Sequence, residues 1–106
     1  MDAQLNMNKP LLITGSDKKY FDYLEANPSA FLANIQSNRS PSYFVLHRTT
    51  CRTINGSTHK DKPGAFTERS YIKLVSHDLN KLEAWGLKEG FIKDRFKYCK
   101  TCKVGL

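Results

Sequence analysis

A chain of 106 residues, 40% hydrophobic and 11% aromatic, has the length of one domain and too many apolar side chains for a disordered tail. Its longest apolar runs, Leu11–Ile13 and Tyr43–Leu46, are far shorter than a bilayer span, and its first residues lack the basic-then-apolar form of a signal peptide. Those features predict no membrane association and a cytoplasmic location. The net charge of +7 is uneven. Residues 1–38 hold three Lys/Arg against four Asp/Glu, a net of −1, and residues 39–106 hold fourteen against six, a net of +8.

Residues 1–15 read as a loosely ordered N-terminal segment in which Leu11 to Ile13 tuck against a core, and residues 16–106 as a single domain. Ser16-Asp17 offers a helix N-cap. Tyr20, Phe21, Tyr23 and Leu24 then give one apolar face, and Asn27-Pro28 stops the helix, which predicts a span of 17–26. Ala30 to Ile35 is too short for periodicity to separate helix from strand. A strand is favoured, because Asn38-Arg39-Ser40-Pro41 then reads as a hairpin loop into a second strand, Tyr43 to His47. Residues 55–69 are polar and aperiodic and read as a surface loop. Tyr71 to Val75 is a third strand. Ser76 or Asp78 caps a second helix with Leu79, Leu82 and Trp85 inside and Gly90 in the C′ position. Phe91-Ile92 and Phe96 are expected to pack back on the core. The expected fold class is therefore α+β: a small sheet of about three strands with two helices, clamped by one structural zinc.

The clamp rests on two short stretches, His47-Arg-Thr-Thr-Cys51 and Cys99-Lys-Thr-Cys102. H-x3-C and C-x2-C together use every cysteine in the chain. Three thiolates and an imidazole suit one tetrahedral Zn2+ of the closed kind. An odd cysteine count argues against a disulfide framework and for a metal in a reducing compartment. The alternative is three buried thiols beside an ordinary histidine. The Lys-rich sequence Tyr-Cys-Lys-Thr-Cys-Lys is a poor place for two idle thiols. His59 and His77 compete for the fourth position, but the first lies in the polar loop and the second at a helix start. Four protein ligands leave no position for a catalytic water. With no paired carboxylates, no nucleophile beside a base and no phosphate-cradling loop, the chain does not read as an enzyme.

The cations concentrate around the same stretches. Arg48 and Arg52 flank the first, Lys97, Lys100 and Lys103 bracket the second, Lys60, Lys62 and Arg69 lie on or beside the loop, and Lys73 lies on the third strand. Convergence on one metal would gather many of them on one face, where Lys and Arg neutralise phosphates and release counterions. The plain alternative is a solvated face that keeps the protein soluble. A second function is a zinc-stapled interaction or inhibitor module whose cations meet an acidic protein. Tyr98 and Phe66 are the aromatic residues open to base stacking.

An aromatic-aliphatic strand, His47-x3-Cys51 followed by Arg-Thr-Ile, a further strand, a helix with inner Leu and Trp, Gly90-Phe91 and a basic Cys99-x2-Cys102-Lys resemble the metal-binding domain of Ada-type DNA methyl-phosphotriester repair proteins. The resemblance covers roughly residues 42–103, with a longer intervening loop. It implies a zinc module that binds double-stranded DNA. In that family four cysteines hold the zinc and the first accepts a methyl group. Here the first position is His47, so the resemblance carries over fold and backbone binding and not alkyl transfer.

Overall fold

A computed structural model describes residues 9–56 and 63–105. In chain order the elements are β1 (Leu11–Ile13), α1 (Asp17–Ala26), β2 (Phe31–Gln36), β3 (Phe44–Arg48), β4 (Tyr71–Ser76), α2 (Leu79–Lys88), a 3-10 turn (Lys93–Arg95) and β5 (Phe96–Tyr98). The class is α+β with two helices, as expected, but the sheet has five strands, not three, in the order β1-β4-β2-β3-β5. All neighbours are antiparallel except β3 and β5, which run parallel. The two unexpected strands are three residues each and lie at the two edges. Neither Leu-Leu-Ile nor Phe-Lys-Tyr is long enough to show alternation by itself. Each is a strand because a longer neighbour holds it: Leu12 lies opposite Leu74, and Val45 opposite Lys97.

Strand alternation sends side chains to two buried faces. On one, Ala33, Ile35, Phe44, Leu46, Ile72 and Leu74 meet Leu82 of α2, Phe91 and Val104. On the other, Ile13, Leu32 and Val75 meet Tyr20 of α1, Cys51 and Ile54. A sheet covered on both sides explains why β4 is buried at four consecutive positions. Phe91 packs into the core as expected; Ile92 does not, and is 46% exposed.

The helix ends follow local chemistry. Ser16 accepts a hydrogen bond from the Lys19 N–H at 3.1 Å, and Asp78 accepts from Asn80 N–H at 2.9 Å, each satisfying an orphan donor of the first turn. Gly90 takes a φ of 93° just past α2, the left-handed C′ conformation that spares a Cβ. Gly86 has a different reason for being glycine. A Cβ there would lie 2.9 Å from Cζ of Phe44 and 3.0 Å from Cζ of Phe96, so its absence lets α2 sit down on the stacked Phe44–Phe96 pair, centroids 4.4 Å apart.

The part of the polar loop that is described is tied down. The Asp17 carboxylate accepts from Thr67 N–H at 2.7 Å and from the Thr67 hydroxyl at 2.8 Å, and the Thr67 carbonyl accepts from Gly15 N–H at 2.8 Å. Residues 63–69 are thus latched to the start of α1, with Thr67 buried. No helix among the described residues is long and apolar enough to cross a membrane.

Candidate metal centre

His47 leaves β3 one residue before its end, opposite Leu32 of β2, on the face that α1 covers. The chain then turns. Thr49, itself buried, sends its hydroxyl to the Asn27 carbonyl at 2.6 Å and its N–H to Ala30 O at 3.0 Å. Cys51 N–H closes on Arg48 O at 3.0 Å. This turn folds Cys51 back beneath His47. The second pair arrives from β5, whose continuation is fixed by Cys99 N–H donating to Leu46 O at 2.9 Å. Lys103 at φ 53° and Gly105 at φ 87° then curl the chain behind Cys102.

The result is one cluster. One ligand atom from each of His47, Cys51, Cys99 and Cys102 can be chosen so that all lie within 4.8 Å of one another. The Sγ atoms of Cys51 and Cys99 are 3.7 Å apart and the three cysteines are free. Two are half-buried, and Cys51 and His47 are buried. The cluster straddles the sheet edge, with Cys99 and Cys102 packing against both cores. These four residues can hold a metal ion. It is the set with that geometry among the described residues. His77 lies elsewhere, its Nε2 2.7 Å from Asn27 Oδ1, and His59 is outside the described residues.

Electrostatics prepare the site. Burial, and secondarily the Lys73 charge, holds the His47 imidazole down at about 4, so near neutrality it is the uncharged ligand form. Its Nδ1 is buried and has no hydrogen-bond partner. Burial pushes the Cys102 thiol up to about 11; the Arg48 N–H opposes this, and the Cys51 and Cys99 sulfurs add to it. Burial also opposes ionisation of Cys99, but backbone N–H groups of Cys102 and Thr101 and the neighbouring thiols outweigh it and leave that thiol below its ordinary value. Three sulfurs this close resist common ionisation, and a divalent cation among them removes that resistance.

The predicted cations separate. Lys97, Lys100 and Lys103 are exposed beside the second pair, and Arg52 is exposed beside the first. Arg48 is turned inward: Nε donates to Cys102 O at 2.9 Å, Nη2 to Lys103 O at 3.3 Å, and the guanidinium lies over the Phe31 ring at 5.8 Å. Arg69 is exposed, with Nε on Pro63 O at 3.0 Å. Lys60 and Lys62 fall outside the described residues. Lys73 corrects the expectation of a phosphate contact. It is 2% exposed, its ammonium donates to Phe66 O at 2.6 Å, and the rings of Tyr20, Phe66 and Tyr71 surround it at 5.3 to 5.7 Å. The physical reason is its place on a central strand covered on both faces. Phe66 is also removed from the stacking candidates, since it packs on Tyr20 and Phe21. Lys93 and Arg95, which the sequence analysis does not single out, are exposed in the turn leading to β5. Their proximity to the cysteine pair in the chain was the available signal.

No family model, curated protein or solved structure matches the chain. None of these comparisons identifies a methyl-phosphotriester repair module.

Proposed function

We propose that the protein is a nucleic-acid-binding module built on one structural zinc ion, held by His47, Cys51, Cys99 and Cys102. The observation that supports the metal is the four-ligand cluster together with the orphaned, buried Nδ1 of His47. Tetrahedral bonds of about 2.3 Å place two thiolates about 3.8 Å apart, against the 3.7 Å between Cys51 and Cys99. Cysteine-rich donors with one imidazole favour zinc over hard cations. A closed set of four makes the ion a clamp and not a reaction centre. An imidazole in the first position has no thiolate to accept a methyl group.

Support for the nucleic-acid partner is the cationic flank beside the clamp. Arg52, Lys97, Lys100 and Lys103 remain exposed there, and such a flank neutralises phosphates without reading sequence. The tests are direct. Purified protein should carry one zinc per chain, and binding to random nucleic acid should weaken steeply as salt rises. A metal-free folded protein sinks the first half of the reading. Absence of binding at low salt sinks the second, and capture of an acidic protein in its place would assign the cations to a protein partner.

A further inference from the structure

The nucleic-acid reading leaves open which form of the polymer is bound, and the β5 edge bears on that choice. From Lys93 to Lys103 the chain carries five exposed cations, Lys93, Arg95, Lys97, Lys100 and Lys103, against one acid, Asp94. The ion pairs among the described residues are Lys18–Asp22 and Arg39–Glu89, so none of the five cations is in one. Set in their midst is Tyr98, an aromatic residue 41% exposed on an edge strand. Its hydroxyl donates to the Glu83 carboxylate of α2, and Gly105 lies against its ring, where a Cβ would come within 3.3 Å of Cδ2. The ring is thus both solvent-facing and held in place from two sides. A fixed aromatic plane with flanking lysines is what a stacked base and its neighbouring phosphates require.

The helices give a duplex less to work with. Duplex readers insert a helix or a ribbon into a groove. The outer side of α1 mixes Lys18 and Lys19 with Asp22 and Glu25, and the exposed positions of α2 are Asn80, Lys81, Ala84, Leu87 and Lys88. The dense positive charge lies instead along one strand and the turns at its two ends. Resting on the nucleic-acid reading above, we propose that the β5 edge binds single-stranded nucleic acid, with a base stacked on Tyr98 and phosphates on Lys97 and Lys100.

The test uses the zinc-loaded full chain and fluorescein-labelled oligothymidylate, single-stranded and paired with its complement, followed by anisotropy. The single strand should bind about ten-fold more tightly. Tyr98→Ala should weaken single-strand binding by about ten-fold, the effect of one lost base stack, and Tyr98→Trp should recover it. Lys97→Glu with Lys100→Glu should weaken both forms. Ultraviolet crosslinking of the unmodified chain to oligothymidylate gives a check independent of folding, and the adduct should map to Tyr98. Equal or tighter duplex binding, a neutral Tyr98→Ala, or an adduct elsewhere overturns the single-strand inference while the nucleic-acid reading stands. No binding of either form at low salt, or competition by polyglutamate as effective as by oligothymidylate, overturns both.

Discussion

Arg48 and Cys102, 54 residues apart, are joined twice: the Arg48 backbone N–H reaches the Cys102 sulfur at 3.3 Å, and its Nε reaches the Cys102 carbonyl at 2.9 Å. One residue therefore buckles the two halves of the cluster by main chain and side chain. Arg48→Ala keeps the first bond and loses the second, along with the reach to Lys103. The expected cost is about 1–2 kcal/mol in urea denaturation, the scale of charge-assisted hydrogen bonds at a half-buried site. Binding of nucleic acid should change little. A loss of affinity with unchanged stability would return Arg48 to the phosphate-contacting set.

The clamp predicts a strong dependence on metal. Chelation, or Cys99→Ser, should lower the melting temperature and open amide exchange first in residues 96–105, whose anchorage to β3 is one three-residue strand and the bonds of Arg48 to Cys102 and Lys103. Closing the loop between Cys51 and Cys99, a separation of 48 residues, is worth about 4 kcal/mol if it acts as a covalent crosslink of that length does. Uniform exchange with and without metal would show that the sheet holds β5 by itself.

Buried Lys73 gives a pH signature. Burial lowers its ammonium to about 8, with Asp17 pulling the other way, while the unfolded lysine titrates near 10.5. The unfolded chain binds more protons between those values, so this group's contribution to stability rises with pH from about 8 to 10.5 and is unfavourable below. Tyrosines and thiols titrate in the same range, so the comparison is with Lys73→Met, an apolar side chain of similar length. Relative to that variant, the natural protein should gain on the order of 3 kcal/mol between pH 7 and pH 11. A pH-independent difference would mean that Lys73 keeps its solution value.

Gly86→Ala tests the seat of α2. Alanine is favoured over glycine in a helix by about 1 kcal/mol. Here its methyl would press on Phe44 and Phe96 at 2.9 and 3.0 Å, and overpacking of a filled core costs about 1–3 kcal/mol. Net destabilisation is expected in thermal melts. A rise in melting temperature would show that the aromatic pair can shift.

The parts legible in the sequence were those whose cause is local. Helix α1 follows from Ser16, an apolar face and Pro28; α2 follows from Asp78, Leu82 and Gly90; β2 and β3 follow from a polar hairpin loop between apolar runs. The cluster of His47, Cys51, Cys99 and Cys102 was legible because metal chemistry fixes residue type and spacing. What was not legible depends on neighbours distant in sequence. The strand at Phe96–Tyr98 exists through pairing with β3, and Leu11–Ile13 through pairing with β4. Lys73 has the composition of a surface cation, and only the layer that α1 and residues 63–69 lay over β4 turns it into an interior one. The inward turn of Arg48 depends in the same way on carbonyls 54 and 55 residues further on.

The position of β5 has a consequence in time. It follows the other four strands among the described residues, yet it pairs with β3 and leads directly into Cys99 and Cys102. While the polypeptide is being made, β3 is finished with one side unpaired, and His47 and Cys51 wait as an incomplete pair until Cys99 and Cys102 emerge. A metal that needs all four of these residues can therefore be fully held only on a chain already synthesised to its second cysteine pair. A nascent chain stalled before Phe96 presents the Phe44 and Leu46 strand as an open edge, the kind of surface that invites association with other chains.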